Sequence, residues 1–266
     1  TTVLAAGRFT VARISPQRIK KSTVMPTVKR LLSNGYVVLG ATIVSLFFLT
    51  VSLISRAVIT GHGPFSNMYE FSLAFSWGIL AMAVFFWWRY KNTAINAACV
   101  VIACVLLFFA NFLPSKAVPL VPALQNSLLL NFHVASAVVA YGTFTVGFIT
   151  AIFYLFQKDE KYNWLPASKL LENISYHAVI IGFPFMTLVI VLGALWADVA
   201  WGRYWGWDPK ETASLVTWLI YAGYLHARIL RGWRGRKTAL FLIVGFGAVI
   251  FTFFGNYVFS GLHSYG

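Results

Sequence analysis

Acidic residues are nearly missing from this chain. There are seven in 266, against 21 lysines and arginines, for a net charge of +14. Only 11% of the residues are charged, where a soluble domain carries roughly 25%. That scarcity excludes an ordinary soluble fold. With 59% apolar residues and a mean hydropathy of +0.74, the chain reads as a membrane protein. The positive excess does not point to nucleic acid. The bases fall between apolar runs, where they set topology and meet the lipid bilayer.

Cysteine is equally scarce. Cys99 and Cys104 lie five residues apart in one apolar run, on different faces of a helix, which argues against a disulfide or a metal site. No C-x-x-C-H string occurs, so the chain is not itself a c-type cytochrome. Residues 1–33 carry seven bases and no acid, and they lack the apolar core of a signal peptide. They are expected to form a basic, poorly ordered cytoplasmic tail. No internal repeat and no second domain are visible, so 34–266 reads as one transmembrane domain.

Seven apolar runs remain, each long enough to cross about 30 Å of hydrocarbon as a helix. They are Gly35–Ile59, Phe71–Trp88, Thr93–Phe112, Leu128–Phe156, His177–Ala200, Thr212–Leu230 and Thr238–Phe259. The expected fold class is all-α: a polytopic membrane helix bundle of about seven transmembrane helices. With the N-terminus inside and the C-terminus outside, 17 of the 21 bases face inward. Only Arg56, Lys116, Arg203 and Lys210 remain outside, a strong positive-inside signal.

Five of the ten tryptophans fall between Trp196 and Trp218, and an outer loop at 196–211 contains the string WGRYWGWD. Trp201, Trp205 and Trp207, interleaved with Gly202 and Gly206, offer a flat aromatic face open to a close ligand. Interfacial anchoring is the competing reading. Asp208-Pro209-Lys210-Glu211 reads as an N-cap, a proline at the first helical position and a Glu at the third. Capping is therefore the first job of Asp208 and Glu211. Ser66 to Glu70 caps an earlier helix in the same style, and no catalytic residue is assigned.

Histidines are costly in a membrane and mark function. His133 lies five residues into the fourth run, above Ser136, Ala137 and Ala140, and His263 follows the seventh. An interhelical hydrogen bond and a solvated tail are their respective alternatives. Two outer histidines beside an aromatic platform suit the two axial positions of a haem iron, with Arg203 and Lys210 available to its propionates. His226 lies deep in the sixth run, leaning over Ala222 and Gly223, with no second histidine of this chain placed to face it. His177 is interfacial, and His62 orders a Gly-His-Gly-Pro loop.

These residues resemble a known family. WGRYWGWDPKET matches the WWD signature of the haem-handling protein superfamily. Together with GHGPFSNMYE (61–70), ENISYHAVIIGFPF, YLHAR around His226 and the terminal GLHSYG, it resembles the CcsA (or ResC) branch of cytochrome c biogenesis from residue 35 onward. The resemblance implies a role in cytochrome c assembly. With a ResB/Ccs1-type membrane subunit, such proteins bring haem b across the membrane. They present it at the outer face for thioether attachment to the CxxCH of apocytochrome c, as a subunit of a cytochrome c synthase. It also implies that His133 and His263 are the outer axial ligands and His226 the ligand within the membrane. Trp201, Arg203, Trp205, Trp207 and Asp208, in the WWD segment, would hold the haem. The membrane would be a bacterial plasma membrane or of thylakoid type, with the haem site on its outer (periplasmic or lumenal) side. Two positions depart from the pattern: Ala213 and Leu128 stand where the family commonly has Trp. Three other readings stay open: CcmC-like haem loading of a chaperone, a b-type electron carrier, and a scaffold whose Trp loop docks a partner.

Overall fold

The computed structural model describes residues 34–116, 127–157 and 160–258, and among these the fold is entirely helical. Seven helices follow in order: α1 Gly35–Thr60, α2 Met68–Tyr90, α3 Thr93–Ala110, α4 Ser127–Phe156, α5 Ser168–Trp201, α6 Pro209–Ile229 and α7 Arg236–Val258. Each coincides with an apolar run. Six are long and apolar enough to cross a membrane. The exception is α6, which carries Lys210, Glu211, His226 and Arg228 among its 21 residues. The protein is a polytopic helical membrane protein.

Short side chains set the helix starts. Asn67 and Asn92 accept the backbone N–H of Glu70 and Ile95, at the starts of α2 and α3. Gly61 and Gly202 close α1 and α5 in the left-handed conformation, which only glycine adopts without cost.

α4 is the centre of the bundle, packed against α2, α3, α5 and α7. It meets α2 backbone to backbone. A Cβ on Gly142 would lie 2.7 Å from the Gly78 carbonyl oxygen, so any side chain there would force the helices apart. Buried threonines satisfy their hydroxyls within their own helices, as where Thr145 donates to Tyr141 O and Thr150 to Val146 O. A few tie helices together: Thr150 with Ser175, and Trp218 Nε1 to Thr187. α1 lies at the edge. Thr42 is its one buried residue, hydrogen-bonded to Asn96, while Phe47, Phe48 and Val58 stay exposed, as lipid contact requires.

α5 is longer than its apolar run at the N-terminal end. It begins at Ser168, nine residues before His177, and contains Pro184. At 34 residues it extends about 51 Å, well beyond the hydrocarbon thickness. At its other end it continues through Trp201, so the non-helical stretch is only 202–208.

Candidate functional site

Five helices and the short 202–208 segment line a cleft that is partly open at its mouth. α2 contributes Met68, Phe71 and Phe75; α4 contributes His133, Ala137 and Tyr141; α5 contributes Val189, Gly193 and Trp196. Tyr204 and Trp205 close it from the loop, and Lys210, Glu211 and Ser214 from α6. Phe253 of α7 completes the wall. Its aromatic walls suit the face of a planar ligand.

His133 is held in one orientation. Its Nδ1 lies 2.9 Å from the Val189 carbonyl oxygen. A carbonyl only accepts, so Nδ1 carries the proton and the lone pair is on Nε2. The ring stands near-parallel to Trp196, with centroids 6.5 Å apart. The α5 backbone also approaches so closely that a Cβ on Gly193 would lie 2.8 Å from His133 Cε1. Val189 and Gly193 are thus the supports of this histidine. Sequence reading missed both, because neither stands out within an apolar run.

The Trp segment is built on Glu211. Its carboxylate accepts the backbone N–H groups of Gly206, at 2.8 Å, and Asp208, at 3.1 Å. Asp208 in turn accepts the N–H of Lys210 at 2.9 Å, completing a reciprocal cap on α6. Asp208 is buried, so its carboxylate shapes the loop from beneath. Trp207 sits just before it with φ of 55°, a conformation that strains a bulky residue, and is 70% exposed. Its ring meets Trp205 edge to face at 5.8 Å. Arg203 packs over Gly206 and is exposed at the rim. Trp201 belongs to α5 and packs on Trp196, 4.8 Å away. Of the four loop residues singled out, Trp205 lines the cleft, while Arg203, Trp207 and Asp208 surround it.

Lys210 Nζ lies 5.2 Å above the Phe71 ring at the cleft wall. It precedes the apolar run that starts at Thr212. Burial pulls its ammonium down to about 8, with the Asp208 carboxylate acting in the other direction. A cation beside a partly open aromatic cleft suits a ligand that is flat and carries carboxylates.

Residues 65–263 match the family described as Cytochrome C assembly protein. The chain belongs to this family. It is also similar to the cytochrome c biogenesis protein CcsA of several organisms. That of Guillardia theta is 35% identical over 269 residues, covering 90% of this chain and 88% of the relative. That of Gloeobacter violaceus is 34% identical over 289 residues, covering 85% of each. That of Chlamydomonas reinhardtii is 39% identical over 235 residues, covering 84% of this chain and 66% of the relative. The chain is accordingly a CcsA-type membrane protein of cytochrome c biogenesis, a process that involves haem and apocytochrome c.

The other proposed family residues are scattered. His263 lies outside the described residues. His226 is exposed on α6, 17 residues from its first turn, or about 26 Å along the axis. Gly223 beneath it is not open space, because it faces the Phe241 ring. His177 is engaged at Nδ1 with Tyr90 Oη, at 2.8 Å, and with the Asn173 carbonyl, at 2.9 Å. His62 Nδ1 bonds the neighbouring Gly63 carbonyl. The two departures from the family pattern also separate. Leu128 is exposed near the start of α4. Ala213 is buried and lines a second, apolar groove between α6 and α7, away from His133.

Proposed function

We propose that the cleft beside the Trp segment receives haem b as cargo, with His133 Nε2 as one axial ligand and His263 as the other. The observation that carries this reading is the hydrogen bond from His133 Nδ1 to Val189 O, which fixes the metal-binding tautomer at the wall of an aromatic cleft. Lys210 at the cleft wall, with Arg203 at the rim, would serve the propionates. Together with a ResB/Ccs1-type subunit, the chain brings haem across the membrane and presents it at the outer face. There its vinyl groups meet the CxxCH thiols of apocytochrome c. The task of this chain is positioning, which converts an encounter of three molecules into a reaction within one complex. The 17-to-4 division of bases supports placing the Trp segment outside. His226, in the C-terminal half of α6, is assigned to a separate intramembrane site whose second ligand comes from the partner.

The test is co-expression with a ResB-type subunit and a CxxCH reporter in cells lacking their own assembly system. Covalent haem on the reporter only when both subunits are present supports the reading. Haem transfer to a chaperone with an ABC transporter as co-purifying partner replaces it with CcmC-like loading.

A further inference from the structure

One ridge of α6 runs between the cleft and His226. Lys210, Ser214, Trp218, Ala222 and His226 recur every four residues, so their side chains form one continuous row along the helix. Lys210 and Ser214 line the cleft. Trp218 lies midway, about 12 Å along the axis from Lys210 and about 12 Å from His226. None of the five is buried. The residues that seat α6 on the bundle, Ala213, Thr217, Tyr221, Tyr224 and Arg228, all are. The row stays open because α6 packs mainly on α7 and meets α5 only lightly.

Small residues stand on both sides of Trp218, the one aromatic in the row. Ala222 has no side chain beyond Cβ, and the Ser214 hydroxyl is turned back onto the Lys210 carbonyl at 2.7 Å. Trp218 itself is held against α5. Its indole N–H donates to Thr187 Oγ1 at 2.9 Å, and its ring meets the Phe183 ring at 5.3 Å, tilted by 30°. Thr187 donates its own proton to the Phe183 carbonyl, at 3.1 Å, which leaves its lone pairs to the indole. Ile190 and Ala194, one and two turns beyond Thr187, already line the cleft. Trp218 therefore bridges the α5–α6 seam at the inner limit of the cleft. The α5 backbone is weakened at the same level, because Pro184 cannot donate to the Ile180 carbonyl.

We propose that the α5–α6 seam is the passage by which haem moves from the His226 site to the cleft, and that Trp218 is its gate. The proposal rests on the two-site reading given above. The flat macrocycle travels with one face along the α6 row and passes when the indole swings off Thr187. One hydrogen bond and one ring contact hold the gate shut, so little has to be broken to open it. The closed gate keeps haem at His226 apart from haem presented to thiols in the cleft.

The test uses the full chain with its ResB-type subunit, purified from haem-replete cells, with haem counted by pyridine haemochrome. The parent complex should lose one haem in His133→Ala and the other in His226→Ala. Ala222→Phe obstructs the row between His226 and Trp218 at a position that is not buried. It should keep the His226 haem and empty the cleft, so the double variant with His133→Ala holds as much haem as either single one. Attachment to a CxxCH reporter should fall by roughly 10-fold. Val216→Phe, on an exposed α6 position off the row, should leave both sites filled. Thr187→Val keeps the shape and removes the acceptor of the indole N–H. Cleft haem should then appear roughly 5-fold faster after a pulse of haem synthesis, the loss of one hydrogen bond. A filled cleft with undiminished attachment in Ala222→Phe, or equal losses in Val216→Phe, would overturn the gate. Haem content indifferent to His226→Ala would instead remove the inner site, and with it the passage, as a failure of the two-site reading.

Discussion

His133 on α4 donates its Nδ1 proton to the carbonyl of Val189 on α5, 2.9 Å away. The bond ties the two most extensively packed helices at the cleft and fixes which imidazole nitrogen carries the proton. Gly193, one turn further along α5, lets the backbone approach close enough for the bond to form.

Gly193→Ala is the first consequence. The new Cβ would fall 2.8 Å from His133 Cε1, and the ring has to move. Overpacking of this kind costs about 1–3 kcal/mol. Haem retained per protein should fall by roughly 10-fold, the equivalent of about 1.4 kcal/mol, while helical content by circular dichroism is kept. Unchanged haem with lowered thermal stability would mean that the glycine serves packing alone.

Asp208 and Glu211 separate capping from ligand contact. Asp208→Asn keeps a cap, whereas Asp208→Ala removes it at a cost of about 1 kcal/mol. Thermal unfolding in detergent should show the loss for Ala and little for Asn, with haem retained in the Asn variant. Loss of haem in Asp208→Asn without loss of stability would place the carboxylate on the haem instead. Glu211→Ala should be worse than Asp208→Ala, because it releases the N–H groups of both Gly206 and Asp208.

Trp207 holds a left-handed φ of 55° while 70% exposed. Strain without burial has no structural return, so Trp207→Gly should stabilise the protein by about 1 kcal/mol. Bound haem should be unchanged, since Trp207 lies outside the cleft wall, while attachment to a CxxCH reporter falls. Equal attachment by both proteins would remove Trp207 from the presentation step.

The fold was legible because apolar runs of bilayer length coincide with helices. The helix caps at Asn67 and Asp208 were legible too, because short polar side chains before a Glu at the third position announce themselves locally. α5 was legible only in part. Ser168 to Tyr176 carries Lys169, Glu172 and Asn173, so it reads as loop, yet Leu171 and Ile174 are fully buried. The Trp cluster had the right residues, but its first member, Trp201, proved to be helix and core. Val189 and Gly193 were invisible, since support of a histidine by a backbone carbonyl leaves no mark on residue type.

Outside the cleft, Arg56 of α1 donates to Glu70 of α2 at 2.8 Å and to the Ser115 carbonyl. Glu70 is 1% exposed and also accepts from Ser66. Arg56 is 18% exposed, so solvent screening limits the pair. Arg56→Ala should cost about 1–2 kcal/mol, short of a fully buried pair. The double variant with Glu70→Gln should cost less than the sum of the two single changes. Strict additivity in thermal unfolding would show that the two side chains act separately.

The central claim is that His133 ligates haem iron in the cleft. The most direct measurement is the pyridine haemochrome and reduced absorption spectrum of the chain purified with its ResB-type partner, with His133→Ala compared with and without added imidazole. The account predicts haem b in the parent complex, its loss in His133→Ala, and its recovery when imidazole occupies the emptied place. Haem content and spectrum indifferent to His133→Ala would contradict the ligand assignment and leave the Trp segment as a docking surface.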